Sequence, residues 1–119
     1  MAQVLVQLKH LALVVHDLSR ARRFYERHFG FRQREWQGDI VFLRDADDFS
    51  LVLMKGEHPA NPGAFHHFGF CVDSPEAVRE KRQSLADAGV PIIEDVEEPG
   101  LISFKCADPD GYTVEVSYE

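Results

Sequence analysis

The stretch His10-Leu11-Ala12-Leu13-Val14-Val15 returns in the second half of the chain as His67-Phe68-Gly69-Phe70-Cys71-Val72. A second pair lies in the same register. Asp45-Ala46-Asp47-Asp48-Phe49-Ser50-Leu51-Val52 parallels Asp108-Pro109-Asp110-Gly111-Tyr112-Thr113-Val114-Glu115. An internal repeat of this kind predicts two related supersecondary units, each opening on a His-bearing strand.

Working outward, Asp17 or Ser19 caps a helix carrying Leu18, Ala21, Phe24, Tyr25 and His28, and Gly30 stops it. Strands are expected over 31–36, 39–44 and 49–54. After a divider at 55–64, rich in Pro, Asn and Gly, a strand is expected over 65–72. Ser74-Pro75 then starts a helix that stops at Gly89. Strands over 91–96, 101–106 and 112–118 complete the order, the last two joined by the turn Asp108-Pro109-Asp110-Gly111. The expected fold is therefore α+β, two βαβββ modules. Module 1 covers about 7–54, the linker 55–64 and module 2 about 65–119, within one domain spanning 1–119. Two sheets, each covered by a helix on one side, would leave their opposite faces to line an open cup.

The chain has 119 residues, too few for a dinucleotide fold, with 45% hydrophobic residues and nine Phe. A chain of this length buries roughly two-thirds of its unfolded surface, enough for a core without staples. Thirteen Lys and Arg against twenty Asp and Glu leave a net charge of −7. That sign excludes tracking of a phosphate backbone or an anionic membrane surface, so neither nucleic acid nor membrane is expected as a partner. The longest apolar run, 11–15, is far too short to cross a bilayer, and residues 1–10 lack a signal peptide's apolar stretch. A cytoplasmic protein is expected. Cys71 and Cys106 form no Cys-x-x-Cys pair and read as buried thiols.

Strand alternation selects the residues for chemistry. Leu11, Leu13 and Val15 should pack on the first helix, with His10, Ala12 and Val14 on the other face. Phe68, Phe70 and Val72 should pack on the second helix, leaving His67, Gly69 and Cys71 toward the cup. In the last strand Val114, Val116 and Tyr118 take the core face, and Thr113, Glu115 and Ser117 the other. His10, His67 and Glu115 are thus the candidate metal ligands. Two neutral imidazoles and a carboxylate suit one divalent iron, manganese, nickel or zinc ion and leave positions open for water or substrate. Taken singly, each reads as an ordinary strand residue. Together they would place a charge and two polar rings on a concave surface, at a cost of several kcal/mol if unpaired. His66 falls on the opposite strand face, while His16, His28 and His58 read as exposed. Trp36 and Tyr112 are aromatic candidates for a pocket wall or the core. The acidic run 45–48 reads as a solvated turn that lacks the remaining ligands of a calcium loop.

The His10 strand followed by Asp17-Leu18, Ala21, Phe24-Tyr25 and Gly30-Phe31, with the His67 strand and Asp108-Pro109-Asp110-Gly111-Tyr112 leading to Glu115, resembles the vicinal oxygen chelate superfamily. That superfamily includes glyoxalase I, extradiol dioxygenases, methylmalonyl-CoA epimerase, fosfomycin-resistance transferases and bleomycin-binding proteins. The resemblance covers nearly the whole chain. It implies an open eight-stranded, barrel-like cup with a metal at its centre and a small substrate chelating that metal through neighbouring oxygens. A homodimer is also implied.

The three-ligand set looks like that of the dioxygenases and fosfomycin enzymes, and a dioxygenase-like role is the reading it favours, ahead of a glyoxalase-like one. Three positions depart from family patterns. Val52 stands where glyoxalase I and the epimerase supply a further ligand, Lys105 where the extradiol enzymes have Tyr, and Ala12 where the fosfomycin enzymes have Thr. Lys105 offers a positive charge to an anionic substrate, but the sequence does not set its face. The competing expectation is a metal-free binding protein of the bleomycin-resistance kind, whose acidic cleft would hold a cationic ligand.

Overall fold

A computed structural model describes residues 6–57 and 66–119. The chain falls into two compact units, 1–58 and 59–119. The first contains β1 (His10–Val15), α1 (Leu18–Phe29), β2 (Arg32–Gln37), β3 (Ile40–Arg44) and β4 (Ser50–Lys55). The second contains β5 (His67–Cys71), α2 (Pro75–Asp87), β6 (Ile92–Glu98), β7 (Leu101–Ala107) and β8 (Thr113–Tyr118). Backbone pairing gives two mixed four-stranded sheets, ordered β1-β4-β3-β2 and β5-β8-β7-β6, rather than one ladder of eight strands. The expected βαβββ order thus holds in each unit. His58 and most of the divider lie outside the described residues, as does the start of the strand expected from residue 65.

In the first unit β1 and β4 pair in parallel, while β3 pairs antiparallel with both β4 and β2. A parallel pair needs a crossover longer than a hairpin, and α1 supplies it. The Asp17 carboxylate accepts the backbone N–H of Arg20 at 3.0 Å, which starts the helix and holds this carboxyl below its ordinary range. Gly30 ends it at φ 71°, a left-handed position that favours a residue without Cβ. The helix buries Leu18, Ala21, Phe24, Tyr25 and His28. The sheet answers with Leu13, Val15, Val41, Leu43, Leu51 and Leu53. Each fully buried large apolar side chain contributes about 1.5–3 kcal/mol. His28 corrects the sequence expectation: it is buried, edge-on to Phe24 with ring centroids 5.1 Å apart. Its spacing one turn after Phe24 and Tyr25 puts it on the same stripe.

In the second unit β5 and β8 are parallel, and β7 pairs antiparallel with both β8 and β6. Ser74 caps α2 by accepting from the Ala77 N–H at 3.1 Å, with Pro75 in the first turn. This helix buries only Val78 and Leu85. Its outer edge is tied to β6 by the bidentate Arg82–Asp95 pair, at 2.6 and 2.9 Å, and by Arg79–Glu97. Both pairs are solvated, so they orient the helix more than they stabilise it. Phe104, Cys106, Val114 and Val116 fill the core beneath. Tyr118 is 36% exposed, against the expectation that it packs with Val114 and Val116, because it ends the strand.

The repeat extends to side-chain hydrogen bonds in the turns. Asp45 Oδ1 accepts from the N–H groups of Asp47 and Phe49 at 3.0 and 2.8 Å, and Asp108 Oδ1 from those of Asp110 and Tyr112, both at 2.9 Å. The acidic run 45–48 is thus a turn whose carboxylate satisfies backbone donors.

Candidate metal and substrate site

The strand faces follow the alternation read from the sequence. Leu13 and Val15 are buried toward α1, while His10 and Ala12 are exposed on the opposite face of β1. In the second unit Val114 and Val116 are buried toward α2, and Glu115 projects from the other face of β8. The parallel register sets His67 beside Thr113 and Gly69 beside Glu115. Same-face neighbours on adjacent strands have Cβ atoms close enough for side-chain contact, including diagonally for long chains. His67 Nε2 and Glu115 Oε2 meet at 3.1 Å, with side chains 25% and 22% exposed.

Gly69 makes this contact possible. A Cβ there would stand 3.2 Å from the Glu115 carbonyl oxygen and 3.3 Å from its Cβ, tighter than ordinary packing. The absence of a side chain lets β5 and β8 approach with the acid and the ring above them. Which atom donates in this contact is set by the tautomer of the ring.

Across β8 the row continues. Lys105 is the β7 partner of Glu115, which settles its face: it stands beside the acid, and its side chain is only 15% exposed. Its ammonium donates to Glu94 Oε2 at 3.2 Å on the outer strand β6. A register shift between Ile92 and Glu94 sets Glu94 opposite Lys105. The row Gly69, Glu115, Lys105, Glu94 therefore crosses all four strands of the sheet. Glu94 had no signal in the sequence, because a bulge cannot be counted from periodicity.

The other expected residues are placed as follows. Cys71 is exposed, on the same face as His67, and its Sγ lies 3.8 Å from Ser117 Oγ. It is not a buried thiol, whereas Cys106 is, and burial pushes the Cys106 thiol up to about 11, with Asp108 a lesser cause. Trp36 pairs with Val41, on the core side of the first sheet, so it does not share a face with His10. His16 and His66 are exposed. His10 belongs to the first unit. Among the described residues no three His, Cys, Asp or Glu side chains cluster tightly enough to hold an ion by themselves. The His67–Glu115 pair is a two-donor set, nitrogen and oxygen, on a half-buried face, and it fits two of the positions a divalent first-row ion requires.

A model of the Glyoxalase/Bleomycin resistance protein/Dioxygenase superfamily matches residues 7–116, and the chain belongs to that superfamily. Among its relatives, the uncharacterized protein PA2024 of Pseudomonas aeruginosa is 34% identical over 122 residues, 93% of this chain and 87% of that one. The manganese-dependent 2,3-dihydroxybiphenyl 1,2-dioxygenase of Geobacillus genomosp. 3 is 28% identical over 124 residues. That match takes in 100% of this chain but only 38% of the dioxygenase. A solved structure described as a possible glyoxalase from Bacillus cereus superposes with a TM-score of 0.82 at 35% identity, covering 94% of this chain and 98% of that one. Among the described residues no helix is long and apolar enough to cross a membrane.

Proposed function

We propose that the protein is a metal-dependent enzyme of this superfamily acting on a small, oxygen-chelating substrate, with a dioxygenase-like reaction. The observation that carries the reading is the 3.1 Å contact between His67 Nε2 and Glu115 Oε2 on the face opposite α2. His67 and Glu115 would each supply one donor, and His10 of the first module the third, the two modules acting as one domain. The relative named for manganese-dependent dioxygenation supports a first-row divalent ion. We further propose that the protein is a cytoplasmic homodimer.

A bound divalent ion would supply Lewis acidity, polarising an oxygen of the substrate. The chain's own residues determine whether that can happen. To serve as a ligand, His67 must present the Nε2 lone pair, so its proton must reside on Nδ1. With the proton there, Glu115 Oε2 would be free to serve as the oxygen donor beside it. Gly69 lets β5 and β8 approach closely beneath the pair, and Val52, at the place in the first module that corresponds to Glu115, adds no fourth protein ligand.

Metal analysis of protein purified without chelator tests the reading. Near-stoichiometric iron, manganese, nickel or zinc is expected, with loss in Glu115→Ala and in His10→Ala and with helix and sheet content unchanged by circular dichroism. Low metal content that is equal in wild type and variants would sink it. That result would favour the second reading, a metal-free binding module, in which the His67–Glu115 contact is a structural hydrogen bond.

A further inference from the structure

We propose that Lys105 is the anion-recognising residue of this site, that Glu94 is its built-in competitor, and that the substrate is a chelating small molecule bearing a carboxylate. The chelating part rests on the function proposed above; the carboxylate part rests on the charged row itself. Lys105 is the direct cross-strand partner of Glu115, on an inner strand, so a ligand held at Glu115 has this side chain as a same-face neighbour. The side chain is 15% exposed. Its ammonium is paired with Glu94 at 3.2 Å.

The two partners differ in freedom. Glu94 stands on the outer strand at the bulge, 45% exposed, and its carboxylate can turn into water at little cost. Lys105 stands on the inner strand β7, between β6 and β8, with the less exposed side chain of the two. An incoming carboxylate can therefore replace Glu94 on the ammonium, gaining a charge-assisted hydrogen bond in partly excluded solvent. The ammonium offers three N–H donors, more than Glu94 uses. The corresponding position in the first module is Phe42, opposite Val52, so the cation is confined to the sheet that holds the candidate ligand pair.

The experiment compares catechol with 3,4-dihydroxybenzoate, which present the same adjacent oxygens and differ by one carboxylate. Each is titrated calorimetrically into Mn(II)-loaded and metal-free protein. Wild type should prefer the carboxylate-bearing ligand by roughly tenfold, the equivalent of one charge-assisted contact. Lys105→Met should bring the ratio to about one or below, and Lys105→Arg should retain the preference. Glu94→Gln should raise the ratio by removing the competitor. The double variant Lys105→Met with Glu94→Gln should return it to about one, which separates loss of the ammonium from repulsion by an unpartnered Glu94. A wild-type ratio near one, a ratio unchanged by Lys105→Met, or no binding of either ligand overturns the proposal. Should Mn(II) not bind wild type, the metal reading falls, and the ratio in metal-free protein still decides the role of Lys105.

Discussion

Position for position, the first module sets Ala12, Val52, Phe42 and Glu35 in register across its sheet where the second sets Gly69, Glu115, Lys105 and Glu94. Both sheets shift register at the same point, between Gln33 and Glu35 and between Ile92 and Glu94. One backbone plan thus carries an apolar inner pair in one copy and an acid–ammonium pair in the other. The difference teaches that the scaffold tolerates either polarity on this face of its inner strands. The covering helices diverge as well: α1 is anchored by an aromatic cluster, α2 by two apolar side chains and two solvated ion pairs.

The largest expected effects test the helices. Tyr25→Ala should lower the unfolding free energy by about 3–5 kcal/mol in urea titrations, because it empties a fully buried aromatic site. Leu85→Ala should cost about 2–5 kcal/mol, and a loss exceeding that of Tyr25→Ala would break the contrast between the two anchors. Next comes the strand pair beneath the site. Gly69→Ala should cost about 1–3 kcal/mol by forcing β5 from β8, and it should weaken Mn(II) binding through displaced Glu115. The mirror change Ala12→Gly should cost only about 0.5–1 kcal/mol.

The third test uses pH. Cys106 occupies the place held by Leu43 in the first sheet, since Cys106 faces Val114 as Leu43 faces Leu51. Its folded-state value is raised to about 11, so its contribution to stability is intact below the ordinary thiol value of about 8.5. That contribution is lost as pH rises through 8.5 toward 11, where the unfolded chain ionises more readily. Cys106→Ala should remove this alkaline decline, followed by thermal melts over that range. A decline of equal size in the variant would refute the assignment. In native protein a thiol reagent should modify Cys71 and spare Cys106.

The smallest effect lies in the turns. Asp48 and Gly111 hold matching positions at φ 66° and 86°. Gly111→Asp should cost about 1 kcal/mol, the price of placing a side chain in left-handed backbone. Asp48→Gly should gain less than that, because it also removes the exposed contact to Arg44. Equal and opposite shifts in melting temperature would blur the distinction.

Much of this arrangement was legible in the residues. The repeat fixed the element order, and period-two alternation put His10, His67 and Glu115 on faces opposite the helices because Leu13, Val15, Val114 and Val116 need the core. Alternation says nothing about neighbours across a sheet. It therefore gives Lys105 no face without the pairing to Glu115, and it cannot point to Glu94, whose position a single inserted residue sets. Burial at boundaries was equally opaque. Cys71 is open although its strand is largely apolar, and His28 is enclosed because its stripe is set by Phe24 and Tyr25.

The repeated register shift bears on how the molecule behaves when crowded. β2 and β6 border their sheets, each interrupted by an offset residue and lined with charges such as Arg32, Arg34, Asp95 and Glu98. A kinked, charged border is a poor template for the addition of a strand from another molecule. On these two sides the protein is guarded against fibril-like growth, and concentrated solutions should stay clear of aggregates nucleated there.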